Sequence, residues 1–293
     1  RQPRWWKPML DATSPFEAQT AKVDGRAEIS FAHRGGQTRL AHLYQHEPLR
    51  VLFPAPANGD IPQAALVTTS GGLVGGDHLA ITITNEAGSS AMAVAQAAEK
   101  VYRSTGEDCV IDVDLNAEDG AWLEYLPQET ILFDGARLRR QTNIHAHPNA
   151  RLLAGEILVF GRIGRGERMQ SGLVRDAWKV SIGGRLTWAD SLRLDGDIVA
   201  QLDHPAGLGG AASMATAVYV GPDAADHLDY GRAFFSNCED GVIGGASLVN
   251  GVATARWIGA DAQILRKSFA DYWAGLRARI MGYPARLPRL WHV

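Results

Sequence analysis

Val110-Ile111-Asp112-Val113-Asp114-Leu115 alternates apolar and polar residues without a break. A strand points successive side chains to opposite faces, so Ile111, Val113 and Leu115 can be buried while both aspartates meet water. Leu79-Ala80-Ile81-Thr82-Ile83-Thr84 carries the same period, as do residues 138–146, 178–182, 186–194, 214–220 and 252–258. Short β-rich runs between glycine and asparagine turns predict a mainly β body, antiparallel-rich, with sheets stacked as a sandwich or a β-solenoid-like coil. Gly-Gly pairs at 35–36, 71–72, 183–184 and 209–210 punctuate it. Alternation sets neither strand order nor sheet geometry.

Two peripheral helices stand against this background. Pro222 is placed to open one that runs to about Phe235. The longer, near the C-terminus, starts behind Asp261 as N-cap and stops near Gly282, with Pro284 beyond. Leu265, Phe269, Tyr272, Trp273, Leu276 and Ile280 form its apolar stripe, which packs it on the sheets. No linker of biased composition interrupts the chain, so residues 1–293 read as one domain.

Composition narrows the function. The 293 residues are 46% hydrophobic and 21% charged, enough for a sizeable core. No apolar run approaches the ~20 residues that span a bilayer. Arg1-Gln2-Pro3-Arg4-Trp5-Trp6 lacks the apolar stretch of a signal peptide, and two cysteines cannot make a disulfide framework, so the cytoplasm is the expected compartment. A net charge of −3 argues against nucleic acid as the main partner. Asp108, Asp112, Asp114, Glu118 and Asp119 cluster, as do Arg266, Lys267, Arg277, Arg279, Arg286 and Arg289. Each group reads as a solvated face or a docking surface for an opposite charge.

Thr69-Ser70-Gly71-Gly72-Leu73-Val74-Gly75-Gly76-Asp77 makes a tight loop with a carboxylate at its exit. It has neither the Gly-Lys-Ser/Thr of a P-loop nor a dinucleotide fingerprint, and Asp77 would repel phosphate. Gln96-Ala97-Ala98-Glu99-Lys100-Val101-Tyr102-Arg103-Ser104 follows. Then come Tyr125-Leu126-Pro127-Gln128-Glu129 with Ile131-Leu132-Phe133, and Leu152-Leu153-Ala154-Gly155-Glu156 with Gly161-Arg162. The chain closes on Leu287-Pro288-Arg289-Leu290-Trp291. In order and spacing these segments resemble the urease accessory protein D family, called H in some bacteria. The resemblance also implies that the alanine-rich stretch 91–101 is strand, although propensity alone favours helix there. A shorter echo, Gly72–Gly76 against Gly241–Gly245, is attributed to shared turn chemistry.

The resemblance implies a maturation factor rather than an enzyme: a bridge between apo-urease and the accessory F and G proteins that helps pass nickel to the urease active site. It further implies acidic residues along a water-filled internal passage. The matching positions are Asp77, Glu129 and Glu156, which the resemblance implies as transient nickel contacts, with no cofactor tightly bound. Carboxylates and water exchange divalent ions, whereas an imidazole or thiolate cage would retain them. Glu156 is the foremost of the three, because it precedes Ile157-Leu158-Val159-Phe160, where a charge is costly unless hydrated or paired. Trp5, Trp6 and Trp291 are candidate partner anchors at the two ends.

Other chemistry finds little in the sequence. His145 and His147 share a strand face and could chelate, but their ordinary role is as solvated residues, and no histidine pairs with cysteine at zinc spacing. Acids beside Cys109 and Cys238 raise a thiol pKa, so neither is poised as a nucleophile. No nucleophile elbow or metalloprotease motif is present. The alternative reading is a β-rich hydrolase or other small-molecule enzyme with an unrecognised acid and histidine site.

Overall fold

A computed structural model describes residues 22–238 and 241–292. In chain order the strands are β1 (Asp24–Arg34), β2 (Gln37–His46), β3 (Leu49–Leu52), β4 (Gln63–Thr68), β5 (His78–Asn85), β6 (Ser90–Ala95), β7 (Glu99–Val101), β8 (Cys109–Ala117) and β9 (Trp122–Leu126). They continue as β10 (Thr130–Leu132), β11 (Arg137–Ala146), β12 (Arg151–Phe160), β13 (Ser171–Ile182), β14 (Arg185–Asp197), β15 (Ser213–Val220), β16 (Val242–Val249) and β17 (Val252–Gly259). The helices are α1 (Ile198–Asp203), α2 (Leu228–Ser236) and α3 (Ala262–Met281).

Two sheets stack. The first runs β14-β13-β11-β8-β5-β1-β2, and the second β16-β17-β15-β12-β9-β6-β4-β3, with β10 and β7 joined through β12. Between β5 and β13 the chain crosses from one sheet to the other and returns one strand further along. This is a solenoid-like coil, and it closes on a repeated tight turn. Ser89 N–H donates to the Glu86 carbonyl, Ala121 to Glu118 and Ala150 to His147, at 2.9–3.0 Å. The mainly β, stacked-sheet reading holds in its solenoid form.

Strand orientation differs from the antiparallel-rich expectation. The coiled strands of each sheet pair in parallel, β5 with β8, β8 with β11, β11 with β13, and β6 with β9, β9 with β12. Antiparallel pairs lie toward the margins, as in β1–β2, β13–β14, β12–β15, β15–β17 and β16–β17. Alternation reports only which faces are buried, and a parallel sheet with one wet face alternates as an antiparallel one does. The outer face of the first sheet is that wet face, so β5 and β8 bury every second residue.

One core fills the space between the sheets, with Ile29, Ile83, Val113, Leu138, Leu152 and Val180 among its members. A second lies on the outer face of the second sheet, where Trp122, Tyr219 and Trp257 meet Leu265, Phe269 and Trp273 of α3. Residues 91–94 are strand because they need to pack on both faces at once: Ala91, Met92, Ala93 and Val94 are wholly buried between the two cores. Tertiary burial overrides alanine's helix preference there.

Helix α3 matches its expected ends. Asp261 Oδ1 accepts from the Gln263 and Ile264 N–H groups, and Gly282 takes the left-handed conformation at φ 70°. Helix α2 is entered through a 3-10 turn, Ala224–His227, directly behind Pro222 and Asp223, and is α-helical from Leu228. The Asp223 carboxylate accepts from Arg151 and Tyr219 and makes no side-chain cap. The short α1 has no counterpart in the sequence reading. The echo of Gly72–Gly76 at Gly241–Gly245 is not a repeat: the first is a loop, while Gly244 and Gly245 lie within β16.

Candidate functional site

Glu156 points from β12 into the space between the sheets and is 5% exposed. Its carboxylate accepts from the Arg140 guanidinium on β11 and from the Trp178 indole N–H on β13 at 2.9 Å. Arg140 also donates through Nε to Asp176 Oδ1 at 3.1 Å and through Nη1 to the Thr130 hydroxyl at 3.1 Å. One guanidinium thus faces two buried carboxylates. Burial drives the Glu156 carboxyl well above its ordinary value; Arg140 opposes this and Asp176 reinforces it. The same carboxylates hold Arg140 charged despite its burial.

Arg140 also borders a cavity of about 200 Å³ whose lining runs from Gly71 and Gly72 on the glycine loop, past Thr68 and Glu99, to Tyr125 and Thr130. Its polar lining combines oxygen and amide groups with the Lys100 ammonium and the Arg140 guanidinium, and includes no thiol or imidazole. Glu99 is the one carboxylate in the lining. Its Oε2 accepts from the Thr68 hydroxyl at 2.7 Å, and burial raises its pKa against the pull of Thr68 and Lys100. The Ser70 hydroxyl is buried with no hydrogen-bond partner.

The other two expected carboxylates do not join Glu156. Asp77 is 3% exposed, and its oxygens accept from the Val74 N–H at 2.8 Å and the Val23 N–H at 3.0 Å. It ties the glycine loop to the start of β1. Glu129 faces α3, where Arg266 Nε binds it at 3.0 Å. Arg266 also holds Gln128 and the Trp291 carbonyl, and its guanidinium lies 4.6 Å from the Trp291 ring centre. Trp291 is therefore an interior residue, 1% exposed and stacked on Phe269, rather than a partner anchor. Trp5 and Trp6 lie outside the described residues.

Much of the apparent charge patterning is spent internally. Arg277 is wholly buried, bound to Glu124 through Nε at 3.0 Å and to Asp60 Oδ1 through Nη2 at 2.6 Å. Asp108 accepts from Arg137 and Arg139; burial would raise its pKa, but those bonds outweigh it and hold the carboxyl below its usual range. His145 and His147 are both exposed, and His147 Nδ1 lies 3.2 Å from Asp119. Among the described residues no group of three or more histidine, cysteine, aspartate or glutamate side chains is placed to hold a metal. Burial first, then Asp77 and Glu99, push the Cys109 thiol up to about 12.

The family model described as "UreD urease accessory protein" matches residues 23–292. The chain belongs to the UreD family. It is 46% identical over 288 residues to a urease accessory protein UreD of Magnetococcus marinus, covering 96% of this chain and 99% of that one. A UreD of Azorhizobium caulinodans is 38% identical over 267 residues, covering 91% and 95%. A UreD of Methylobacterium sp. strain 4-46 is 41% identical over 287 residues, covering 97% and 99%. UreD proteins are urease maturation factors and not enzymes, so the hydrolase alternative falls away. No helix among the described residues is long and apolar enough to cross a membrane.

Within this UreD chain, the interior polar residues that the sequence reading passed over are Arg140, Asp176, Glu99 and Glu124. A signal was present. Arg140 shares parity with Leu138 and Ile144, and Asp176 with Val174 and Trp178, so each charge falls in phase with residues that must be buried. Glu99 lies inside Gln96–Ser104, one of the segments that carry the family resemblance.

Proposed function

We propose that this UreD chain bridges apo-urease to the accessory F and G proteins and lets nickel pass through its interior in transit. The observation that carries this reading is the cavity between the sheets, with Glu99 on its wall and Arg140 at its inner end. Oxygen donors hold divalent ions loosely and exchange them, as a conduit requires and a storage site does not. A raised Glu99 pKa favours such exchange further, because a proton competes with the metal for the same oxygens. Arg140 repels a cation at the far end, so onward movement requires its guanidinium to stay engaged with Asp176 while Glu156 turns to the ion. Glu99 and Glu156 are the residues we assign to this path; Asp77 and Glu129 secure the loop and the C-terminal segment that frame it. Nickel, F, G and the apo-enzyme are the partners, and the cytoplasm is the compartment where they meet.

The test is urease activation in a heterologous host carrying the urease genes and all accessory genes, with intact chain, deletion, Glu99→Gln and Glu156→Gln. Deletion is expected to abolish nickel-loaded urease. The two glutamine variants are expected to lower nickel content while co-purification with F persists. Unchanged urease after deletion would overturn the maturation role. Normal nickel content in both variants would remove the interior path and leave the bridge alone.

A further inference from the structure

Along their main paths four strands end the two sheets, β2 and β14 in the first and β3 and β16 in the second; β7, paired only with β10, is 3 residues long. An open edge offers unpaired N–H and C=O groups to any other strand, and proteins normally blunt it. Three of these edges are blunted. Strand β2 carries Arg39 and four of its pairings sit beyond a register shift at Ser30/Phe31. The β13–β14 ladder shifts at Val180/Ser181, and β14 bears Arg185, Asp190, Arg193 and Asp195. Strand β3 is only 4 residues long.

Strand β16 has none of these devices. Its sequence, Val-Ile-Gly-Gly-Ala-Ser-Leu-Val, holds no charge and no proline, and its 8 residues pair with β17 in unbroken register. One face is fixed under α2, where Phe235 lies over Gly244 and Ala246 packs against Gly231. The other face shows Ile243 at 71% exposure and Val249 at 45%.

We propose that β16 is a self-association edge, pairing antiparallel with β16 of a second copy. A two-fold axis perpendicular to the sheet leaves each side chain on its own face, so only residues of like parity can stand opposite one another. With the axis at Ala246, Ile243 faces Val249 of the second copy, Gly245 faces Ser247, and Gly244 faces Leu248. The two exposed apolar side chains of the strand then cover each other twice, and on the α2 side Leu248 meets a glycine. An uncharged strand gives a charged partner nothing to recognise, whereas its own copy matches it in polarity and shape. The pairing joins the two second sheets into one.

The test is sedimentation velocity of the full chain over a concentration series. A concentration-dependent dimer is expected. Ile243→Lys places a lysine opposite Val249 at both ends of the ladder and is expected to weaken the dimer at least about tenfold, as charges on edges do. Adding Val249→Glu to the same chain sets lysine against glutamate across the axis and is expected to restore it. As a readout independent of those charges, Ile243→Cys with Val249→Cys, in a Cys238→Ser background, is expected to give a covalent dimer on oxidation. The two positions lie about 20 Å apart along one strand, too far to bridge within a chain. A monomer throughout the series, a dimer indifferent to Ile243→Lys, or no rescue by Val249→Glu would overturn the proposal. So would a monomer that loses capture of an accessory protein on Ile243→Lys, which would give the edge to a different strand.

Discussion

Arg140 on β11 donates to Glu156 on β12, and through this contact a charge in one sheet is satisfied by a charge in the other. Asp176 on β13 shares the same guanidinium. The interior of the coil is thus apolar along most of its length and ionic at one level, beside the cavity.

Removing the cation should be far costlier than neutralising the acid. Arg140→Met leaves Asp176 and Glu156 buried without a counter-charge and is expected to cost about 3–5 kcal/mol. Glu156→Gln keeps the shape and a hydrogen-bonding group in place of a carboxyl already pushed toward its protonated form, and should cost about 1 kcal/mol or less. Urea unfolding of the two variants beside the parent measures both; equal losses would contradict the assignment.

The pH dependence follows in sign. Glu156 has a folded pKa raised above the ordinary 4.5, so its contribution is complete below that value and is withdrawn as pH rises through the folded pKa. Asp108 is lowered from 3.8, so its contribution is complete above that value and disappears as pH falls through the folded pKa. The parent should therefore lose ground to Glu156→Gln on going from pH 5 upward, and should lose its advantage over Asp108→Asn on going below pH 4. Urea midpoints of the three proteins across that range provide the comparison.

Arg277 anchors α3 to the second sheet through Glu124 and Asp60, with the Trp122 and Trp273 indoles also donating to Glu124. Arg277→Met should cost about 3–5 kcal/mol, because two buried carboxylates lose their counter-ion together. Loss of near-ultraviolet circular dichroism at a lower urea concentration would report the loosened tryptophans.

Gly155 is demanded by the same docking. A Cβ there would meet Phe269 Cζ at 2.6 Å, Trp273 Cζ3 at 2.9 Å and the Thr216 carbonyl at 3.0 Å. Gly155→Ala is expected to destabilise by about 1–3 kcal/mol through overpacking. Thermal unfolding would show it, with the larger shift in a chain that keeps Phe269 than in one carrying Phe269→Leu.

Asp77 separates structure from cargo. Asp77→Ala orphans the Val74 and Val23 amides and is expected to cost roughly 2–3 kcal/mol. Its effect on urease should follow the amount of folded protein. Reduced nickel loading at undiminished protein level would instead return Asp77 to the path.

Local physics is what the sequence states openly. The alternation in 79–84 and 110–115, the cap at Asp261 and the stop at Gly282 involve residues within a turn or strand of one another, and each appears where it was read. The family motifs were legible for the same reason, as fixed runs of neighbouring residues. Of the candidate carboxylates, Glu156 was recognised as interior because an apolar run follows it, while Asp77 and Glu129 turned out to bind a backbone and an arginine.

Tertiary structure decided the rest. A strand's own pattern records which of its faces is buried but not the direction of its neighbours, so the parallel coil emerged only when β5, β8, β11 and β13 lay side by side. Likewise, Arg266 and Arg277 look like surface bases until Glu129 and Glu124, more than a hundred residues away in sequence, come to meet them. Desolvation of a charge is set by everything around it, and in a coiled chain those surroundings are assembled from distant turns.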